Sequence, residues 1–232
     1  MGFDHNEFAL SKSETDFWGQ VRRTVNGVPV DGEQIDLIVA SIRGNINISD
    51  EDWVIDLACG NGALGSLFAG EAHQYFGVDL SPRLIEIAEK YFHARNKHFT
   101  LDDAESFLIS FPDKNLITKL VCYGSFSYFS RGSAKSIIEI LCRGYPNLSE
   151  VYIGNLPNRD LAHKFYPEMP AIEELDDHTS PIGIWRSKSE FKALLAATSW
   201  DIKFIEQPDS FYASAYRYDV LLSRAHLRTP RL

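Results

Sequence analysis

From Trp53 onward, short apolar runs alternate with stretches in which apolar residues return at helical spacing. The runs predict strands at 53–57, 75–78, 98–101, 120–123, 151–153, 201–206 and 216–222. Between them, Ser81-Pro82 places an N-cap ahead of proline at the first helical position, and Leu84, Ile85, Ala88 and Tyr91 line one face behind it. A second helix is predicted over 133–143 from Ile137, Ile138, Ile140 and Leu141, with further helices at 63–69, 188–197 and up to about Ile109. Upstream, Asp31 opens a helix with Gln34 three residues on, which predicts a capping box; Ile35, Ile38, Val39 and Ile42 form its stripe and Gly44 stops it. Strands alternating with helices predict an α/β protein, doubly wound, with a mostly parallel sheet covered by helices on both faces.

Two stretches depart from this rhythm. Residues 4–30 mix polar and aromatic positions and read as an arm with one short helix over 14–24. Residues 155–181 carry Pro157, Pro167, Pro170 and Pro181 and an acidic stretch through Asp177, and read as an excursion over the sheet edge where ligands bind. The organisation expected is therefore an arm and helix over 1–50 that cover a ligand site, a main domain over 51–224 with an insertion around 155–181, and a loose tail over 225–232.

Composition narrows the class. The 232 residues are 44% hydrophobic and 24% charged, ordinary values for a globular domain, and no apolar run is long enough to span a membrane. The N-terminus has no basic-then-apolar signal pattern, and Cys59, Cys122 and Cys142 form no CxxC pair, so a cytoplasmic protein without a zinc ribbon or disulfide framework is expected. A net charge of −9 with scattered Lys and Arg tilts the expected partner towards a small-molecule acceptor and away from nucleic acid.

The densest chemistry lies at Asp56-Leu57-Ala58-Cys59-Gly60-Asn61-Gly62-Ala63-Leu64-Gly65. This segment follows a predicted strand and opens a helix, where glycines allow a tight turn and close approach of backbone to ligand. Asp79 ends the next strand, placed to accept hydrogen bonds from ribose hydroxyls. Gly60, Gly62 and Gly65 spell GxGxxG, which dinucleotide enzymes share, so the spacing alone leaves an NAD-dependent oxidoreductase open.

Val54 to Gly62 resembles motif I of the class I S-adenosylmethionine-dependent methyltransferases. Tyr75-Phe76-Gly77-Val78-Asp79-Leu80-Ser81 resembles the following motif, and Thr100-Leu101-Asp102-Asp103-Ala104 the acid-plus-small-residue motif that brackets adenine. The resemblance implies a Rossmann-like seven-stranded sheet with an antiparallel last strand, and S-adenosylmethionine as cofactor. It also implies roles: Asp56 orients the loop or reaches the methionine amino group through water. Ala58, Gly60 and Asn61 pack on the methionine part, Asp79 with Leu80 holds the ribose end, Asp103 and the Ala104 N–H take adenine, and Tyr123 lies near the methionine end. Gln20 to Gly27 is similar to bacterial methyltransferases whose N-terminal helix closes over the cofactor, which implies that Gln20, Arg23 and Thr24 face the methionine carboxylate. Enzymes that modify bacterial surface glycans or their activated precursors have a similar arm.

Methyl transfer needs alignment of nucleophile, methyl and sulfur, and a base where the nucleophile is a hydroxyl. His163 and His178, in the excursion, are the expected catalytic bases because imidazole titrates near neutrality; Tyr123, Tyr128 and Tyr166 are candidates to line an acceptor pocket. Asp176, Asp177 and His178 could hold a divalent metal, but the residues after the fourth strand are Cys122-Tyr123-Gly124-Ser125, without the aspartate of metal-dependent catechol-type enzymes, so no metal is expected. A DNA amino-methyltransferase box is absent from that position. The expected function is methyl transfer to a small molecule, as an O-methyltransferase of a glycan or glycan precursor. The alternatives are the oxidoreductase, a protein methyltransferase, and an inactive methyltransferase-like binding protein.

Overall fold

The computed structural model describes residues 4–224. The expected tail at 225–232 lies outside the described residues. The arm comprises α1 (His5–Leu10), α2 (Phe17–Gln20) and a hairpin of β1 (Thr24–Val25) and β2 (Val28–Pro29), followed by α3 (Gly32–Asn45). Its helical part is shorter than the 14–24 expected. Arg22 takes a left-handed conformation with φ 56°, and Asn26-Gly27 turns the chain with φ 50° and 80°. Those two positive φ values are what a type I′ hairpin turn needs, and Asn-Gly is the dipeptide that supplies them most readily. Asp31 caps α3 by accepting from Gln34 N at 3.0 Å, but the box is half formed: the Gln34 amide instead donates to Ser210 O and accepts from Tyr212 N.

The alternating region builds β3 (Trp53–Leu57), α4 (Ala63–Phe68), β4 (Gln74–Asp79), α5 (Pro82–Phe92), β5 (Lys97–Leu101), α6 (Ala104–Ser110), β6 (Lys119–Tyr123), α7 (Arg131–Gly144), β7 (Glu150–Pro157), α8 (Lys188–Leu194), β8 (Asp201–Glu206) and β9 (Arg217–Ser223). Seven strands form one sheet in the order β5-β4-β3-β6-β7-β9-β8. The pairs from β5 through β7 are parallel, while β9 runs antiparallel to both neighbours, so the last strand is the one that reverses.

Alternating side chains divide the core between the two faces. Ile55 and Leu57 join α6, α7 and α8 residues such as Leu108, Ile138 and Phe191 on one side. Val54 and Tyr75 join Ile38, Ile42, Leu64 and Ala88 of α3, α4 and α5 on the other. Each helix is thus fixed by a buried apolar stripe, and the loops after β3, β4, β5, β6 and β7 are brought together at one edge. Among the described residues no helix is long and apolar enough to cross a membrane.

The excursion begins after a bulged β7. The register slips between Ile153 and Leu156, and Asn155 is left-handed at φ 63°. Two short 3₁₀ helices follow, Arg159–Lys164 and Glu174–Asp176.

Candidate active site

The loop after β3 turns through three left-handed residues, Ala58, Gly60 and Gly62, with φ 57°, 61° and 77°. The alanine is the strained member, since a Cβ disfavours that conformation. Asp79, at the end of β4, ties the loop down: its carboxylate accepts from Gly60 N and from Ser81 N, both at 2.9 Å. Burial raises the Asp79 pKa, and these N–H donors oppose the rise. Behind the loop, Asp56 is 4% exposed and accepts from the Tyr75 hydroxyl at 2.7 Å. Burial lifts Asp56 to about 7, against the opposing pull of the Tyr75 hydrogen bond and the Arg23 charge.

Two of the motif glycines serve protein neighbours. A Cβ on Gly60 would lie 2.8 Å from Val21 Cγ1 of the arm, and one on Gly65 would fall on the Tyr75 hydroxyl. Gly65 therefore opens the path by which Tyr75 reaches Asp56 under α4.

Beside Asp79 lies uncovered apolar surface. Leu80 is 73% exposed and Leu101, which pairs with Asp79 in the sheet register, is 51% exposed. Asp103 caps α6 through one oxygen, Oδ1, which accepts from Glu105 N and Ser106 N, while Ala104 begins the helix. Hydrogen bonding to these first-turn groups lowers the Asp103 pKa.

The arm covers this edge. Asn6 Oδ1 accepts from Ser81 Oγ and Arg83 N, Glu14 pairs with Lys90 at 2.7 Å, and the Phe17 ring meets Tyr91 and Phe92 edge-on. Asn61 Nδ2 donates to Phe17 O and to Gln20 Oε1, both at 2.7 Å, and Gln20 Nε2 donates to Ser13 O and Glu14 O. Gln20 and Asn61, each expected to meet the methionine part, are thus joined to one another as the clasp between arm and loop. Thr24 sits in the hairpin. Arg23 packs between the Trp18 and Tyr123 rings, 5.6 and 5.5 Å from their centroids, and makes no ion pair among the described residues. Burial lowers its pKa.

Tyr123 ends β6 and Asn155 lies at the bulge of neighbouring β7, and each carries a buried polar atom, the Tyr123 hydroxyl and Asn155 Oδ1, with no partner. The pieces fit an adenosyl sulfonium amino acid: apolar walls and carboxylates at one end, an unpaired guanidinium and open hydrogen-bonding atoms at the other.

The expected bases are elsewhere. His163 and His178 are exposed on the excursion, and no hydrogen bond orients either among the described residues. The imidazole that meets the segment after β6 is His5 of α1, exposed like the other two but with its ring edge-on to Tyr128 at 4.5 Å; partial desolvation there and the Arg22 charge lower its pKa. No sequence pattern singles it out, because its position depends on how the arm folds back. Asp176 accepts from Arg131 and Arg159, so it is an ion-pair partner; no metal-ligating cluster occurs among the described residues. Tyr166 packs with Trp185 and Phe165 in a separate aromatic cluster.

Residues 54–144, which hold the loop, Asp79, Asp103 and Tyr123, match the model of a methyltransferase domain family. Over that segment the chain is similar to a methyltransferase domain, and its sheet has the Rossmann-like methyltransferase fold. Its cofactor is S-adenosylmethionine. The methyltransferase fold recurs in solved structures. Magnesium protoporphyrin IX methyltransferase from Synechocystis PCC 6803, with S-adenosylmethionine bound, is 16% identical, with a TM-score of 0.59 over 96% of this chain and 98% of that one. A Haloferax volcanii chain in complex with the Trm112 methyltransferase activator is 15% identical, with a TM-score of 0.66 over 95% and 97%. A SAM-dependent methyltransferase from Anabaena variabilis is 18% identical, with a TM-score of 0.57 over 92% and 96%. A comparison with curated proteins by sequence finds no match.

Proposed function

We propose that this methyltransferase acts on a small molecule, at an oxygen nucleophile, and that glycans or glycan precursors are the acceptors to try first. The observation that carries the reading is the closure of the site. Arg22 of the arm and Tyr128 after β6 both donate to the carbonyl of Pro181, at 2.8 and 2.9 Å, so arm and excursion meet above the strand tips. A site covered by arm and excursion suits a compact acceptor better than a protein surface or a duplex.

The cofactor, when bound, supplies a methyl group activated by a sulfonium. The chain's own residues then divide the work. Asp79, held by two N–H groups, has lone pairs left for the ribose hydroxyls. Leu80 and Leu101 flank the adenine, with Asp103 Oδ2 and the Ala104 N–H as its polar partners. Arg23 takes the methionine carboxylate, which its planar fork matches, and Asp56 takes the ammonium through water. Ala58, Gly60 and Tyr123 shape the methionine end. His5, kept neutral by its lowered pKa, is the proton acceptor proposed in place of His163 and His178.

Calorimetric titration with S-adenosylmethionine, S-adenosylhomocysteine and NAD, on wild type and Asp79→Ala, tests the site. The adenosyl ligands should bind, NAD should not, and the substitution should weaken binding about tenfold or more through the lost charge-assisted hydrogen bonds. Labelled methyl transfer to sugars and sugar nucleotides tests the acceptor class. Label entering protein instead would overturn the small-molecule reading.

A further inference from the structure

We infer a second ligand site, in the cleft between α7 and α8, that takes a small organic anion with an apolar body and holds it on the buried guanidinium of Arg186. The inference is independent of the acceptor reading above, since none of the residues assigned there to cofactor or proton transfer lines this cleft.

Both helices pack on the same face of the sheet, α7 through Ile137, Ile138 and Leu141 and α8 through Phe191. Where they border each other the chain is short of bulk. Ala134 of α7 and Ala193, Ala196 and Ala197 at the end of α8 leave a cleft of about 450 Å³. That volume lies within the range of small-molecule sites.

Charge decides what the cleft holds. Arg131, Lys135, Arg143 and Arg186 line it against Glu139 and Glu190, a local excess of cations in a chain whose net charge is −9. Glu190 is already committed: it accepts from Ser187 N as part of the α8 cap and pairs with Arg131 and Arg159. The same two arginines share Asp176. Among the described residues neither Arg143 nor Arg186 forms an ion pair.

Arg186 carries the argument. It is 3% exposed, and its guanidinium lies over the Phe126 ring, 5.5 Å from the centroid. Its Nη2 donates to Phe129 O at 3.0 Å and its Nη1, more weakly, to Phe126 O at 3.5 Å. The Nε–H and one proton on each Nη are left without a partner among the described residues. Burial and the Arg131 charge pull its pKa down to about 10, against the attraction of Tyr218, Glu190 and Asp176, so the group is still a cation at neutral pH. A buried charge is ordinarily paired, and an anion in the cleft supplies the missing partner. The planar fork matches a carboxylate or a phosphate, while the alanines wall the apolar body. Phe126 and Phe129 belong to the segment after β6, so Arg186 joins the cleft to the loop that carries Tyr128.

Calorimetric titration of the protein with naphthoate, naphthyl phosphate and neutral naphthalenemethanol tests the site. At least one anion should bind about tenfold or more tightly than the alcohol. Naphthoate alone binding identifies a carboxylate ligand, and naphthyl phosphate alone a phosphate. Ala193→Phe, at an exposed helical position, fills the cleft and should weaken that anion about fivefold or more. Arg186→Gln should do the same, provided that its urea midpoint shows a folded protein; where it does not fold, Ala193→Phe decides alone. The inference is overturned if neither anion binds or if the alcohol binds as tightly as the anions. It is equally overturned if Ala193→Phe, or folded Arg186→Gln, falls short of that loss, as it would if the anion sat in the cofactor or acceptor site instead.

Discussion

Asp56 is held between opposing forces. Burial takes its carboxyl up to about 7, while the Tyr75 hydroxyl and Arg23 favour the ionised form. A cationic ligand group nearby adds to the second influence, so cofactor binding should lower the pKa and release a proton. Affinity for S-adenosylmethionine should therefore rise between pH 6 and 8, and titrations in two buffers of different protonation heat should report fractional proton release. Asp56→Asn should abolish that release; a pH-independent wild-type affinity would refute the coupling. Gly65 allows a second test. Alanine there must displace Tyr75 from its path to Asp56, an overpacking that costs about 1–3 kcal/mol, readable as a lower urea midpoint. The loop and Asp79 were legible in the sequence because their chemistry is local: a strand, a glycine turn and an acid at the end of the next strand. Gln20 and Asn61 were not. An amide reads the same whether it meets a ligand or another amide 41 residues away, and here it meets the latter.

Among elements, the main strands and helices fell where periodicity placed them, since each is fixed by its own apolar stripe. The arm and excursion did not follow, because neither has a stripe. Their course is set by contacts distant in sequence, such as Asn6 on Ser81 and Arg22 on Pro181. The hairpin β1–β2 was not expected, although Asn26-Gly27 carries its signal, and the outward placement of His163 and His178 had no comparable signal. The arm's hold on the loop is open to perturbation. Asn61→Ala removes the hydrogen bonds to Phe17 and Gln20, a loss of about 1–3 kcal/mol from buried partners left unpaired. Trypsin should then cut at Arg22 or Arg23 faster than in wild type, with bound S-adenosylhomocysteine restoring protection in part. Equal cleavage rates would mean that the clasp does not hold the arm.

For the whole molecule, buried acids and capped or paired acids impose opposite pH dependences. Asp56, Asp79 and Asp219 have raised pKa values, about 7 for the first and about 6 for the last. Their contribution to stability is complete below the unfolded carboxyl range and is lost as pH rises through the folded values. Asp103, Asp176 and Glu190 are lowered by helix-cap hydrogen bonds and arginine partners, so their contribution is present above that range and disappears in acid. Unliganded protein should be most stable near pH 5, by about the point where the two trends cross. Urea midpoints across pH 3–8 would check this; a midpoint rising steadily from 5 to 8 would contradict it. Finally, the Pro181 carbonyl offers two lone pairs, and Arg22 and Tyr128 occupy both. That latch must part before arm and excursion separate. Departure of product should then set the pace of repeated cycles: rapid-quench experiments should show a burst of one methylated acceptor per protein, followed by a slower linear phase.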